Sequence, residues 1–569
     1  MFSTKKESLF DVKKKTSSVN TNEFISNGVK MTAETLSGNG ALKYSSTGNR
    51  LLDQFGSISN YRVLRSFEEI SNDMRMIYSE NKEKTLALTL YIRMVTRTIS
   101  YFDGTTSEIV QKGQGLRHES ILRMIWIAIN DPKVFWENLH LFISAGSWKD
   151  IIQMLSYDIQ YHGWENRQLD WDKFSSVIIG GLENEKTSNL VKKYLPSIRA
   201  NGKCITVESQ ADNIIAKFIC GKIFGKKDER GVTYKKYRKL KSSGTAHEWQ
   251  KLISKKLLNE INFNTIHGRA LSLLVSGKFL KNNNLEDVYE NWIESQPIAK
   301  YTGFVYELLA PVKKGYKNCD LKGYRVNTIN KQFMGLIELA KKDTNTDTRF
   351  ICALDTSSSM TTLVRGLKYS SYDVAKSVAL YFSYLLEGTF SKFFFQFSNG
   401  ACLKKWVGAT PVERLQNDHS EAYGGTDFLG IARDYSNMKS NGVPESDFPN
   451  GVIAISDGEF NRVGVKTTNV KEFKRELSIA GFSKDFCDNF TFVFWDIPNN
   501  YHCAEPKPKF ETFEDHKNVF YMSGFDPSGI TFLLGGTTKN GVAKAVPTSA
   551  DELMEVALSQ EIMQRIKIS

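Results

Sequence analysis

From about residue 60 to 300, apolar positions recur at three- and four-residue steps, the spacing that gathers them on one face of a helix. In EKTLALTLYIRMVTRTISYF this puts Leu88, Tyr91, Ile92, Val95, Ile99 and Phe102 together and predicts one helix through the stretch. The same steps recur at Phe135, Leu139, Phe142 and Ile143, and the following SAGSWKDIIQML reads as a turn entering another amphipathic helix. Antiparallel helix pairs stacked as a solenoid would explain such a stretch, although no strict sequence period marks a repeat. After about residue 347 the rhythm changes. RFICALD, KFFFQFS, GVIAISD and NFTFVFWD are strand-length apolar runs, with the helix-length segments YDVAKSVALYFSYLLE and NVKEFKRELSIAG between them. That alternation predicts a mostly parallel sheet covered by helices on both faces, with ligands at the carboxyl ends of its strands. The polar beginning, rich in Ser, Thr, Lys and Asn, is expected to be a flexible arm. The expected organisation is an arm over 1–37, a helical domain over 38–310, a connecting segment over 311–346 and an α/β domain over 347–569.

Length and composition narrow the function classes. A chain of 569 residues is long for one core, and a length prior suggests roughly three to five domain-sized units. Its longest apolar run, SVALYFSYLL, falls well short of the roughly 20 residues a membrane-crossing helix needs. MFSTKKESLFDVKKK lacks the apolar segment of a secretory signal, so a cytoplasmic protein is expected, or a virion component if the chain is phage-encoded. Seven scattered cysteines without a CxxC argue against a disulfide framework or zinc knuckle and fit a reducing compartment. The formal charge of +12 is unevenly spread: the first 346 residues carry 52 Lys and Arg against 36 Asp and Glu, a net +16, and the remainder carries 23 against 27, a net −4. Such asymmetry points to a polyanion met by the front of the chain, against the alternative of a lysine-rich soluble surface. The densest basic stretch, KIFGKKDERGVTYKKYRKLK, holds Lys222, Lys226, Lys227, Arg230, Lys235, Lys236, Arg238, Lys239 and Lys241, interleaved with Phe224, Tyr234 and Tyr237. Such cations could neutralise phosphates while an aromatic stacks on an unpaired base. A solvated helix face with its aromatics turned to the core would read the same.

Candidate chemistry sits at the ends of the apolar runs. RFICALDTSSSM plants Asp355, Ser357 and Ser359 at a strand exit, a carboxylate and two hydroxyls at alternate positions. Hard oxygen donors without sulfur or imidazole suit magnesium or a similar divalent cation. YGGTDF presents Thr426 after two glycines that permit a tight turn, and IAISDGEF ends another buried strand on Asp457. The competing reading is that Asp355 and Asp457 cap helices that follow the strands. Catalytic motifs are missing: the sequence holds no HExxH, GxSxG or GxxxxGK[ST], and SGNGALKYSSTGNR is therefore no phosphate loop. LDTSS also lacks the second aspartate of an aspartate-based phosphatase. No enzymatic activity is expected.

Asp355, Ser357, Ser359, Thr426 and Asp457, in that order, resemble the metal-ion-dependent adhesion site of von Willebrand factor A domains: Asp-x-Ser-x-Ser, then a threonine, then an aspartate. The resemblance implies an α/β Rossmann-like domain whose cation keeps one position open for a partner's carboxylate or phosphate. Helical repeats joined to a C-terminal A domain are similar to the Ro ribonucleoprotein (TROVE) family, and NGALKYSSTGNRLLDQF, FISAGSWKDIIQML, NFTFVFWDIPN and YMSGFDPSG resemble Ro-like proteins of bacteria, phages and eukaryotes. This covers about residue 38 to the end. It implies a HEAT-like helical ring closed by the A domain, binding structured RNA and single-stranded RNA ends, as a monomer with Mg2+. The alternative is a metal-dependent protein-interaction scaffold of a phage particle or stress assembly, without RNA binding.

Overall fold

The computed structural model describes residues 34–568 except 38, 59–64, 200–203, 205, 226–230, 245–247, 267, 315–322, 343–348, 365–366, 465–466, 498–509, 512–516, 535, 538–542 and 545. Residues 1–33 of the predicted arm lie outside the described set. The chain is helix-rich through Lys341, then forms a six-stranded mixed sheet flanked by helices. Residues 323–341 of the expected connecting segment form a helix, Gly323–Lys341.

A first hairpin pairs β1 (Glu34–Leu36) with β2 (Leu42–Tyr44). The helix Lys82–Arg93 begins at Asn81, whose side chain accepts the Lys84 N–H, and is buried from Thr85 through Arg93. It ends earlier than the helical spacing predicts. Met94 is extended, at φ −59° and ψ 149°, and the β-branched Val95, Thr96, Thr98 and Ile99 carry the chain into a strand. This is β3 (Arg97–Ser100), antiparallel to β4 (Thr106–Gln111). Val95, Ile99 and Phe102 therefore do not continue the helix face of Leu88, Tyr91 and Ile92. Phe102, at the hairpin turn, packs on Trp148 at 5.2 Å between ring centroids.

The Pro132–Ala145 helix buries Phe135, Leu139, Phe142 and Ile143 as the spacing predicts. The SAGS turn then enters the helix Trp148–His162 through a capping box between Ser147 and Asp150.

The large sheet has the order β10-β9-β8-β5-β6-β7, where β5 is Phe350–Asp355, β6 Phe393–Phe397, β7 Ala401–Lys405, β8 Gly451–Ser456, β9 Thr491–Asp496 and β10 Val519–Ser523. All neighbours are parallel except β6 and β7. Every residue of β5 and β8 is buried, which is why both read as unbroken apolar runs. β7 is an edge strand that exposes Lys404 and Lys405, a charged edge that discourages further pairing. β5 lies between β6 and β8, where the winding reverses, so its carboxyl end opens on the crevice in which doubly wound sheets bind ligands.

The helical segment meets the sheet unit at both of its ends. Near its start, Tyr101 Oη donates to Glu561 Oε1 (2.7 Å), Thr96 Oγ1 to Asp526 Oδ2 (2.6 Å) and Asn138 Nδ2 to the Lys567 carbonyl (2.7 Å). Near its end, Tyr306 packs on Tyr369 (5.2 Å) and Phe333 on Tyr384 (5.3 Å). One continuous core runs through these junctions, and a second, smaller core gathers Trp249, Phe263, Leu271, Tyr289 and Tyr324. Among the described residues no helix is long and apolar enough to cross a membrane.

Candidate metal centre and basic face

Asp355 ends β5 fully buried, its Oδ1 accepting the Ser357 N–H (2.8 Å) and its Oδ2 accepting Ser456 Oγ (2.5 Å). The Ser357 and Ser359 hydroxyls lie 3.0 Å apart in the turn that follows. Backbone hydrogen bonds join this turn to the Thr426 loop: Tyr423 N–H donates to the Thr356 carbonyl (2.6 Å) and Ser358 N–H to the Gly424 carbonyl (3.1 Å). The Asp457 loop is joined in turn, since Asn461 N–H donates to the Thr426 carbonyl (2.9 Å) and Thr426 N–H to Asn461 Oδ1 (3.2 Å). The three stretches singled out in the sequence thus meet at one end of the sheet. Thr426 is fully buried and Asp457 nearly so.

Electrostatics mark the same place. Burial, and secondarily the neighbouring Asp457 carboxylate, push the Asp355 carboxyl up to about 7, against the opposing hydrogen bonds from Ser456 and Ser357. Two repelling buried carboxylates beside three hydroxyls are a hard-oxygen donor set, and a divalent cation between them would remove the repulsion. The residues present fit such an ion. Among the described residues no group of three His, Cys, Asp or Glu side chains gathers, so any ion here would depend on the hydroxyls as well.

The loop geometry needs its glycines. Gly424 has φ +81°, and a Cβ there would lie 2.7 Å from the Asn399 side chain, whose Oδ1 accepts the Gly425 N–H (2.7 Å). Gly424→Ala is expected to cost about 1–2 kcal/mol through the left-handed backbone alone, measured as a lower denaturation midpoint. It is also expected to weaken any cation-induced stabilisation by displacing Thr426.

Sequence reasoning missed several partners. Ser456 immediately precedes Asp457, and as the one hydroxyl closing an apolar strand buried on both faces it was the available signal. Asn39, in the hairpin between β1 and β2, donates to the Glu459 carbonyl (2.5 Å) and stands 3.5 Å from Thr426 Oγ1. Ser37 Oγ donates to the Phe460 carbonyl (2.7 Å). The contact spans more than 380 positions, and no local pattern announces it.

The basic stretch separates into groups. Lys226, Lys227 and Arg230 lie outside the described residues. Lys222, at the end of the helix Val207–Phe224, pairs with Asp172 at 2.5 Å. Lys241 Nζ donates to the Leu195 carbonyl, and burial lowers its ammonium pKa. Lys235, Lys236, Arg238 and Lys239 are exposed on the helix Val232–Ser242 and make no ion pair among the described residues. Tyr237 is fully buried, its hydroxyl donating to the Pro196 carbonyl (3.1 Å), so this aromatic anchors the helix and offers no stacking surface. Phe224 is 36% exposed.

Comparison of the chain with protein-family profiles and with curated proteins finds no match in either.

Proposed function

We propose that this chain is a Ro-like RNA-binding protein: the basic helical segment grips RNA, and the sheet unit is a von Willebrand A-like domain that holds Mg2+ or another divalent cation. The observation that carries the reading is the row Lys235, Lys236, Arg238 and Lys239, four exposed cations on one helix without carboxylate partners among the described residues. Unpaired surface cations in a row attract a polyanion at long range and release its counterions on contact. A HEAT-like ring closed by the A domain is consistent with a helical segment that meets the sheet unit at both ends.

In the sheet unit, Asp355, Ser357, Ser359, Thr426 and Asp457 would hold the cation. The ion supplies a Lewis-acidic position to which a partner's carboxylate or phosphate can bind. The chain's own part is to keep both carboxylates buried, aim the hydroxyls, and fix the Thr426 loop through Asn399 and Asn461.

The test is purification without nuclease. The protein is expected to carry RNA, seen as an absorbance ratio shifted toward 260 nm that RNase reverses, and to bind labelled RNA in low salt. Clean protein that binds no RNA in low salt but captures a carboxylate-bearing protein partner only with Mg2+ would favour the scaffold reading.

A further inference from the structure

A second cationic feature lies in the helical segment, away from the metal loops. Asp150, 1% exposed, accepts Arg93 at both oxygens, with Nε to Oδ2 at 2.8 Å and Nη2 to Oδ1 at 3.2 Å. It also accepts the Ser147 N–H (2.9 Å), and Arg117 Nε stands 3.1 Å from Oδ1. A Cβ at Gly146 would fall 2.0 Å from Asp150 Oδ2 and 2.9 Å from Arg93 Nε, so this turn is closed down around the pair. Arg97 shares the same neighbours but gets no carboxylate oxygen. Its Nη2 donates to the carbonyls of Gly146 (2.7 Å) and Ser144 (3.2 Å), and its Nε is buried without a hydrogen-bond partner. Two guanidinium groups, Arg93 and Arg117, therefore share one carboxylate, and a third, Arg97, reaches only backbone carbonyls.

A purely structural role does not account for Arg117. It is the first residue of the helix Arg117–Asn130, where a cation opposes the helix dipole, and Leu116 before it provides no side-chain cap. Its side chain is 40% exposed, whereas Arg93 beside it is buried. An uncapped helix start, an outward guanidinium and an under-satisfied one behind it together offer donors to an anion. Burial, and then the positive charge of Arg93, push the Arg97 guanidinium down from its ordinary range, with the Asp150 carboxylate only partly opposing them.

The surroundings indicate which anion. Half-buried Tyr194 is within electrostatic range of Arg97 and Arg117 and carries Lys193 Nζ 5.4 Å over its ring, which adds a further cation here, while the Tyr157 hydroxyl stands 3.1 Å from His118 Nδ1. The carboxylate near Tyr157, Glu208, is solvent-exposed. The position is continuous with the basic helix: Lys241 is bound to the Leu195 carbonyl, next to Tyr194, and Asp212 feels Lys149, Arg199 and Lys241 together.

We propose that Arg97 and Arg117, backed by Arg93, form a phosphate-binding site for an unpaired RNA strand that also crosses the basic helix. This rests on the RNA-binding reading and adds a fixed point to it. Guanidinium forks bind phosphate oxygens in pairs.

The experiment is fluorescence anisotropy with a labelled 12-nucleotide oligouridylate and the full chain at several salt concentrations. Arg117→Gln is expected to weaken binding at least fivefold and lower the slope of log affinity against log salt by about 0.7, the value of one single-strand phosphate contact. Arg117→Lys should keep the slope while losing affinity severalfold, because the charge remains and the fork is lost. Arg97→Gln should resemble Arg117→Gln. Thermal unfolding of each variant checks folding, and Arg117→Lys retains the test should Arg97→Gln unfold. If wild type binds the oligonucleotide and Arg117→Gln keeps its affinity and slope, this site is overturned and the RNA reading stands. Failure of wild type to bind in low salt overturns both.

Discussion

Asp355→Asn is expected to raise the stability of the cation-free protein at pH 8 and to abolish the further stabilisation that Mg2+ gives the wild type. The two effects have opposite signs because Asp355 serves the ion at the expense of the apo fold. Its folded carboxyl sits at about 7, raised by burial and then by Asp457. Unfolded, it titrates at about 3.9. Between those values the folded state keeps a proton that the unfolded state has released, so stability falls as pH rises, by at most about 1.4 kcal/mol per pH unit. Above pH 7 the full loss is in place. Asparagine removes the charge that causes it and keeps the shape, leaving the cation-free protein more stable and this part of the pH dependence flat. A bound cation reverses the preference by favouring the ionised carboxylate. At a Mg2+ concentration a hundredfold above Kd, wild type should gain about 2.7 kcal/mol and Asp355→Asn close to none. Thermal unfolding at pH 5, 6.5 and 8, with and without Mg2+, measures all of this. An equal Mg2+ shift in variant and wild type would remove Asp355 from the site, and a flat wild-type profile would remove the buried-carboxylate argument.

What could be read from the chain was what local spacing encodes. β5, β6, β8 and β9 were legible because each is a strand-length, mostly buried apolar run ended by a polar residue, and the metal loops follow from where β5 and β8 stop. β7 escaped because ACLKK is a short, half-exposed edge strand, and β10 because its five residues follow a stretch without helix-length periodicity. At Val95 the three- and four-residue spacing continued while residue type did not, and β-branching decided for a strand. Tyr237 illustrates the limit for single residues: the basic stretch reads alike whether its aromatics face solvent or core, and packing against the 195–196 turn decides. The arginine cluster was illegible for another reason. Arg93, Arg97, Arg117 and Asp150 come from two helix starts, a helix end and a strand, and only the tertiary fold brings them to one place. Asn39 on the Thr426 loop is the extreme case of the same effect.

Replacing Lys235, Lys236, Arg238 and Lys239 together with Gln is expected to lower RNA affinity further than Arg97→Gln or Arg117→Gln. If each cation neutralises one phosphate of a single strand, the slope of log affinity against log salt should shrink by up to about 2.8, or about 0.7 per contact. At 0.1 M salt that amounts to about fivefold per residue and several hundredfold for the set, falling toward unity as salt approaches 1 M. The fold should survive, because the four positions are exposed, glutamine has a helix propensity close to lysine's, and Tyr237 keeps the helix anchored to Pro196. Asp355→Asn should leave the slope unchanged, since residues 347–569 carry a net −4 and cannot provide the main attraction for a polyanion. Titrations of wild type and both variants against single-stranded and hairpin RNA at several salt concentrations separate the contributions. A quadruple variant that retains the wild-type slope would identify this helix face as a solvated surface and leave Arg97 and Arg117 to account for whatever binding remains.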